Sequence, residues 1–85
     1  MYYVYLLRSS KNGKYYIGQT SNLRLRFSEH NRGLNQSSKS GVKWKLVYYE
    51  AYPTRQEAIV RERKLKHHGK GLSEIKRRLT SLVDD

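Results

Sequence analysis

The chain has no cysteine and a single proline among its 85 residues. Without cysteine no disulfide can hold the fold. A structural zinc would have to draw on 3 histidines and 7 acids, which is a poor ligand supply. The lack of cysteine fits a reducing compartment, and a cytoplasmic location is the expectation. No apolar run approaches the length needed to span a membrane. The opening residues Met1-Tyr2-Tyr3-Val4-Tyr5 carry no positive segment and no cleavage site, which argues against a signal peptide. Acidic residues are scarce as well: 7 Asp and Glu stand against 18 Lys and Arg, for a net charge of +11. Such an excess points to an anionic partner, nucleic acid or a membrane surface. A membrane-surface helix needs bulky apolar residues left exposed, and the last apolar stripe of this chain is needed for its core. A chain of 85 residues is expected to be one domain, residues 1–85, with a thin core.

What the chain does have is pattern. Over residues 2–7, Tyr3, Tyr5 and Leu7 take one face of a strand and Tyr2, Val4 and Leu6 the other. Both faces are apolar, so the strand is expected to be central or covered by helices. Asn12-Gly13 is a strong hairpin signal, and residues 14–20 read as the return strand. Thr20-Ser21-Asn22 offers N-caps for a helix over residues 23–31, with Gly33 placed to end it. Residues 32–43 are polar and rich in Ser and Gly, and read as a loop. Residues 44–52 form a third strand that Pro53 ends. Thr54-Arg55-Gln56-Glu57 is a capping box for a second helix reaching His68. Gly69-Lys70-Gly71 is expected to break it, and a third helix runs from about Ser73 to Val83. Its stripe is Leu72, Ile75, Leu79 and Leu82. The order β-β-α-β-α-α predicts an α+β fold, a three-stranded antiparallel sheet with three flanking helices.

Several residues fall where stability alone would not put them. A two- or four-residue hairpin loop places Tyr5, Tyr16 and Gly18 on one face of the sheet. They form either a core aromatic pair beside a close backbone approach, or two phenols at a site. In the first helix Leu23 and Phe27 define the buried stripe, with Arg26 and His30 at its edge. These are a snorkelling arginine and a satisfied histidine, or polar groups aimed along the sheet. In the second helix Ala58, Ile59 and Leu65 mark the inward stripe, Glu62 falls within it, and Val60 faces away. A carboxylate there is costly unless it meets a cation or a metal. An internal salt bridge to Arg26 is the structural alternative, and a pair with Lys66 a weaker one. Together Tyr5, Tyr16, Arg26, His30 and Glu62 suit metal-assisted phosphodiester cleavage.

These residues carry a resemblance. Tyr3-Val4-Tyr5 followed by Tyr16-Ile17-Gly18 resembles the GIY-YIG signature, and the segment from Asn22 to His30 resembles the helix bearing that family's arginine and histidine. Glu57-Ala58-Ile59-Val60-Arg61-Glu62 resembles the segment with its metal-binding glutamate. The whole chain resembles the small stand-alone, excinuclease-like members of the GIY-YIG nuclease superfamily. The resemblance implies the GIY-YIG fold and hydrolysis of phosphodiesters in nucleic acid, DNA ahead of RNA, with one magnesium or manganese ion. It implies Tyr5 as the leading candidate to deprotonate the attacking water, and Tyr16 as the residue that orients that water or shares the base role. Arg26 would hold the scissile phosphate, and His30 would contact the phosphate or relay the proton. Glu62 would be the protein ligand of the metal, and Gly18 would leave room for close approach.

Three positions differ from the pattern: Tyr3 stands for the first glycine, Gln19 follows the second tripeptide where many members have lysine, and residues 67–71 contain no asparagine. The last two favour an alternative reading, a binding module that keeps the fold but does not cut. No second DNA-binding module lies within these residues, so little sequence specificity is expected, with a role in DNA repair or recombination. Lys39, Lys43, Lys70, Lys76, Arg77 and Arg78 are the candidates for nonspecific phosphate contacts.

The charge supports one test. If the basic surface neutralises about four to six phosphates, DNA affinity falls about a hundredfold to two-thousandfold between roughly 50 and 200 mM salt. Titrations across that range check it, and a flat response would rule out binding through the phosphate backbone.

Overall fold

The computed structural model describes residues 1–32, 43–67 and 69–83, the last four of these by backbone alone. Gly33, Lys39, His68 and the Leu82 side chain therefore lie outside the described residues, as does most of the polar loop. The elements are β1 (Tyr2–Ser9), β2 (Tyr15–Thr20), α1 (Leu23–Asn31), β3 (Trp44–Tyr52), α2 (Arg55–His67) and α3 (Gly69–Val83). The three strands form one antiparallel sheet in the order β2-β1-β3. β1 is thus the central strand, as its two apolar faces require. No helix among the described residues is long and apolar enough to cross a membrane.

The hairpin closes over residues 10–13, and Gly13 takes the positive φ of 73° that a side chain would resist. Ser9 Oγ accepts from the backbone of Lys11 and Asn12, while Asn12 Oδ1 accepts from Lys14 N. The four-residue turn sets the register, with Tyr5 opposite Gly18 and Leu7 opposite Tyr16. On one face Val4, Leu6 and Ile17 meet Ala58 and Leu65 of α2 and Ile75 of α3, and this is the main core. The burial of each such Leu or Ile contributes about 1.5–3 kcal/mol. On the other face α1 covers Tyr5 and Leu7. The sheet therefore lies between two helical layers.

The pairing of β1 with β3 slips between Leu6 and Leu7: Leu6 faces Tyr48 but Leu7 faces Leu46. Val47 is the extra residue of a β-bulge. Beyond it the parity of β3 reverses, so Trp44 and Leu46 join the α1 face while Val47 and Tyr48 pack on the core. Asn31 then clamps the start of β3 at both backbone groups, donating to Trp44 O at 3.1 Å and accepting from Trp44 N at 2.7 Å.

Both ends of α1 fall where the sequence places them, with Asn22 as N-cap accepting from Leu25 N at 3.1 Å. The Thr54 cap of α2 accepts from Glu57 N, but the Glu57 carboxylate takes its bond from the Thr54 hydroxyl instead of the backbone. The start of α3 is a correction. Gly69-Lys70-Gly71 does not separate the helices by a broken stretch; it forms the first turn of α3. The opening N–H groups of a helix lack intrahelical partners, so glycine costs least there. A Cβ on Gly71 would also touch Leu65 Cδ2 at 3.4 Å, which is where α3 folds back against α2.

One polar lock crosses the layers. Glu50 on β3 accepts from Arg61 Nε at 2.8 Å and Nη2 at 3.0 Å, and from the hydroxyls of Tyr48 and Tyr52. Burial would raise its pKa, but the bonds from Arg61, Tyr48 and Tyr52 outweigh that and hold the carboxyl at about 2. Glu50→Gln breaks the charge match, and urea unfolding at neutral pH should show a loss of about 2 kcal/mol. The value sits below that of a fully buried pair because the Arg61 side chain is 32 % exposed. The folded pKa is depressed from 4.5, so the wild-type advantage is complete above about 4.5 and fades as pH falls toward about 2. Equal stability at neutral pH would mean that the lock contributes nothing.

Candidate active site

β1 carries Tyr5 to the centre of the α1 face, where it is 2 % exposed. Its ring lies across β2 at Gly18, the residue directly opposite. A Cβ on Gly18 would overlap the phenol oxygen and come within 2.6 Å of Cζ. Gly18 is therefore the position that lets the phenol reach toward the open edge of β2. Tyr16, two residues back on the same face, stacks on Tyr5 with ring centroids 6.3 Å apart.

α1 brings two polar groups onto these phenols. Arg26 Nε donates to Tyr5 Oη at 3.3 Å, and His30 Nε2 lies 3.1 Å from the same oxygen. Arg26 also pairs with Glu29 at 3.1 Å. His30 is 0 % exposed, so it is the most buried residue of α1 and not an edge residue as the Leu23–Phe27 stripe suggests. Tyr5, Tyr16 and Trp44 form an aromatic box around its ring, with Tyr16 closest at 4.5 Å between centroids. Burial and the neighbouring Arg26 charge both push its pKa down from 6.5, so the imidazole is neutral at neutral pH. With Arg26 as a permanent donor, the phenol proton is directed to Nε2 and the imidazole hydrogen to Nδ1. Nδ1 has no hydrogen-bond partner among the described residues.

Burial also governs Tyr5. It pushes the phenol up to about 12, against the lowering bond from Arg26 and together with the charges of Tyr16 and Glu62. Glu62, on α2, is thus close enough to be felt at the phenol. It is half-buried, and its Oε2 pairs with Lys66 Nζ at 2.9 Å. Here the sequence expectation needs correcting: the pair with Lys66 is present, while Arg26 takes Glu29 and Tyr5 as partners. At the end of the inward stripe the helix surface is already half open, so Lys66 can swing back one turn to the carboxylate.

The other expected residues are dispersed. Tyr3 and Val4 occupy opposite faces of β1, and Ile17 belongs to the core. Lys43 and Lys70 are exposed, as are Arg77 and Arg78. Lys76 Nζ lies 4.6 Å from the Tyr15 ring centroid, and the charge of Arg78 acts on Tyr48. Both aromatic partners face α3, so Lys76 and Arg78 lie on the layer opposite α1. Trp44 is not evident from the sequence because its face depends on the bulge. Clefts of about 350 and 360 Å³ run along α2, lined by residues such as Tyr52, Arg61, Lys64 and Lys70. They lack a phenol–imidazole–guanidinium set, so chemistry and not concavity marks the site.

Comparison with known proteins adds a family. The GIY-YIG catalytic domain model matches residues 1–80. A UPF0213 protein of Streptococcus pneumoniae serotype 4 is 34% identical over 65 residues, which cover 75% of this chain and 65% of that relative. Another UPF0213 protein of the same species is 33% identical over 61 residues, covering 71% of this chain and 61% of the relative. The chain thus spans less than two thirds of the length of these relatives. No solved structure matches.

The tight approach at Gly18 can be tested directly. Gly18→Ala forces the phenol aside and should cost about 1–3 kcal/mol in urea unfolding. With its box opened to water, His30 should titrate closer to its ordinary 6.5, as read by NMR of the ring. Unchanged stability with an unchanged His30 titration would mean the phenol has room to spare.

Proposed function

The chain belongs to the GIY-YIG catalytic-domain family, a nuclease-type domain, and from that premise we propose that it hydrolyses phosphodiester bonds in DNA with little sequence preference. One observation carries the reading: a buried phenol oxygen held between His30 Nε2 at 3.1 Å and Arg26 Nε at 3.3 Å. That arrangement satisfies a buried phenol and, in the same contacts, joins a proton path to a cation able to bind phosphate. In this reading Arg26 binds a non-bridging oxygen of the scissile phosphate and neutralises the charge that builds there. The attacking water lies at the β2 edge, between the two phenols. Tyr5 takes its proton and passes its own to His30 Nε2, so no free phenolate has to exist at neutral pH. The new O–P bond forms as the bond to the leaving oxygen breaks. Tyr16 orients the water, and Gly18 keeps the approach open.

The family implies a divalent metal, and the donors present fit one. Glu62 offers a half-buried carboxylate close enough to act on Tyr5. Among the described residues no three His, Cys, Asp or Glu side chains group together, so the protein supplies a minority of the ligands. That suits magnesium or manganese, which keep water and phosphate oxygens in their shells. When bound, the ion supplies charge stabilisation at the phosphate and leaving oxygen. Repair or recombination intermediates are the proposed substrates. The competing reading, a module that binds without cutting, draws on Gln19, on the lack of asparagine in residues 67–71, and on Lys66, which already engages Glu62.

Single-turnover cleavage of saturated DNA separates the two. Glu62→Gln should stay folded and bind DNA in chelator as the wild type does, yet lose cleavage. Tyr5→Phe should lower the rate by about 10²–10⁴. The relay also fixes the pH profile. The His30 pKa is depressed, so the neutral acceptor persists below 6.5 and the rate is lost only as pH falls through that lowered value. A rate that instead climbs steadily through alkaline pH would identify a free phenolate as the base. Equal rates for folded wild type and folded Glu62→Gln would end the metal-site reading.

A further inference from the structure

Tyr49 is the outlying aromatic of the site face. It is 53 % exposed, although its cross-strand partner Tyr5 is buried. Its ring meets Tyr3 edge-on, with centroids 5.9 Å apart. The two tyrosines form one wall of a cleft of about 340 Å³, and Ser21, Asn22, Leu23 and Arg24 at the start of α1 form the other. Half of the Tyr49 ring is left in water, so its outer face is open to a ligand. The cleft also lies near the proposed phosphate position, since Arg26, two residues beyond Arg24 on α1, reaches back to Tyr5, the cross-strand partner of Tyr49.

We infer that this cleft is a nucleobase subsite: a base beside the scissile phosphate leaves its stack and lies against Tyr49, with Arg24 on the neighbouring phosphate. The inference rests on nucleic acid as the ligand proposed above, and not on cleavage. A base is flat, presents a π-face to an exposed ring and brings its own anion to the arginine rim. A chain of net charge +11 also draws a polyanion to this surface ahead of a neutral or basic partner. A base inside the cleft cannot remain paired, so the subsite favours strands whose bases are free to turn out.

The test is binding in chelator, where nothing is cut. Fluorescence anisotropy compares a thymidine oligonucleotide of about 12 residues with an abasic strand of the same phosphate count. Wild type should bind the thymidine strand about tenfold more tightly. Tyr49→Ala should bind both strands alike, at the abasic level, while Tyr49→Phe and Tyr49→Trp should keep the preference, because stacking needs the ring and not the hydroxyl. Arg24→Gln should weaken both strands equally. Equal wild-type affinity for the two strands, or a preference that survives in Tyr49→Ala, would overturn the subsite. Failure of the wild type to bind either strand would instead overturn the nucleic-acid reading beneath it.

Discussion

A strand turns successive side chains to opposite faces, and in this protein a single strand has to serve both. Among the described residues β1 is the one strand paired on each side. Val4 and Leu6 go down into the core, while Tyr5 and Leu7 go up under α1. The division between the main core and the face that carries the candidate site is thus made within one short run, by parity alone. Because β1 is paired with both β2 and β3, backbone bonds on each side hold the position of Tyr5. Everything else at the site comes to Tyr5: Gly18 by register, Tyr16 by the same pleat, and Arg26 and His30 from the helix laid across the face.

Glu62 arrives by a different route. It sits on α2, whose core residues pack under the opposite face, so its aim depends on how α2 is rotated about its own axis. Ala58 and Leu65 turn one side of α2 to the core, but apolar contact itself has little directionality. The paired bonds from Arg61 to Glu50 are directional. Arg61 immediately precedes Glu62, so the directional lock sits one residue from the candidate carboxylate.

Much of this was legible in the sequence, for identifiable reasons. The bounds of α1 and β3 followed from side chains with strong local preferences, Asn22 at the cap and Pro53 after the strand. The common face of Tyr5, Tyr16 and Gly18 followed from hairpin arithmetic. Three features did not follow. The depth of His30 depends on a box of three aromatic rings that exists only after the sheet forms. The joint between α2 and α3 looked like a break because glycine resists helix interiors, yet the first turn is not an interior. The Lys66–Glu62 pair depends on how far the helix surface opens, which stripe counting cannot give.

The bulge at Val47 has a consequence for how change in β3 is tolerated. Residues on either side of it read in opposite phase, so the strand behaves like a text with one inserted letter. Substitution at Val47 alters one side chain on the core side. Deletion of it would leave Leu46 opposite Leu7 and Trp44 opposite Ser9, so both would stay on the α1 face while the ladder became regular. The clamp from Asn31 on Trp44 would be kept. The bulge is a spare letter: the strand can lose it without any other side chain changing sides.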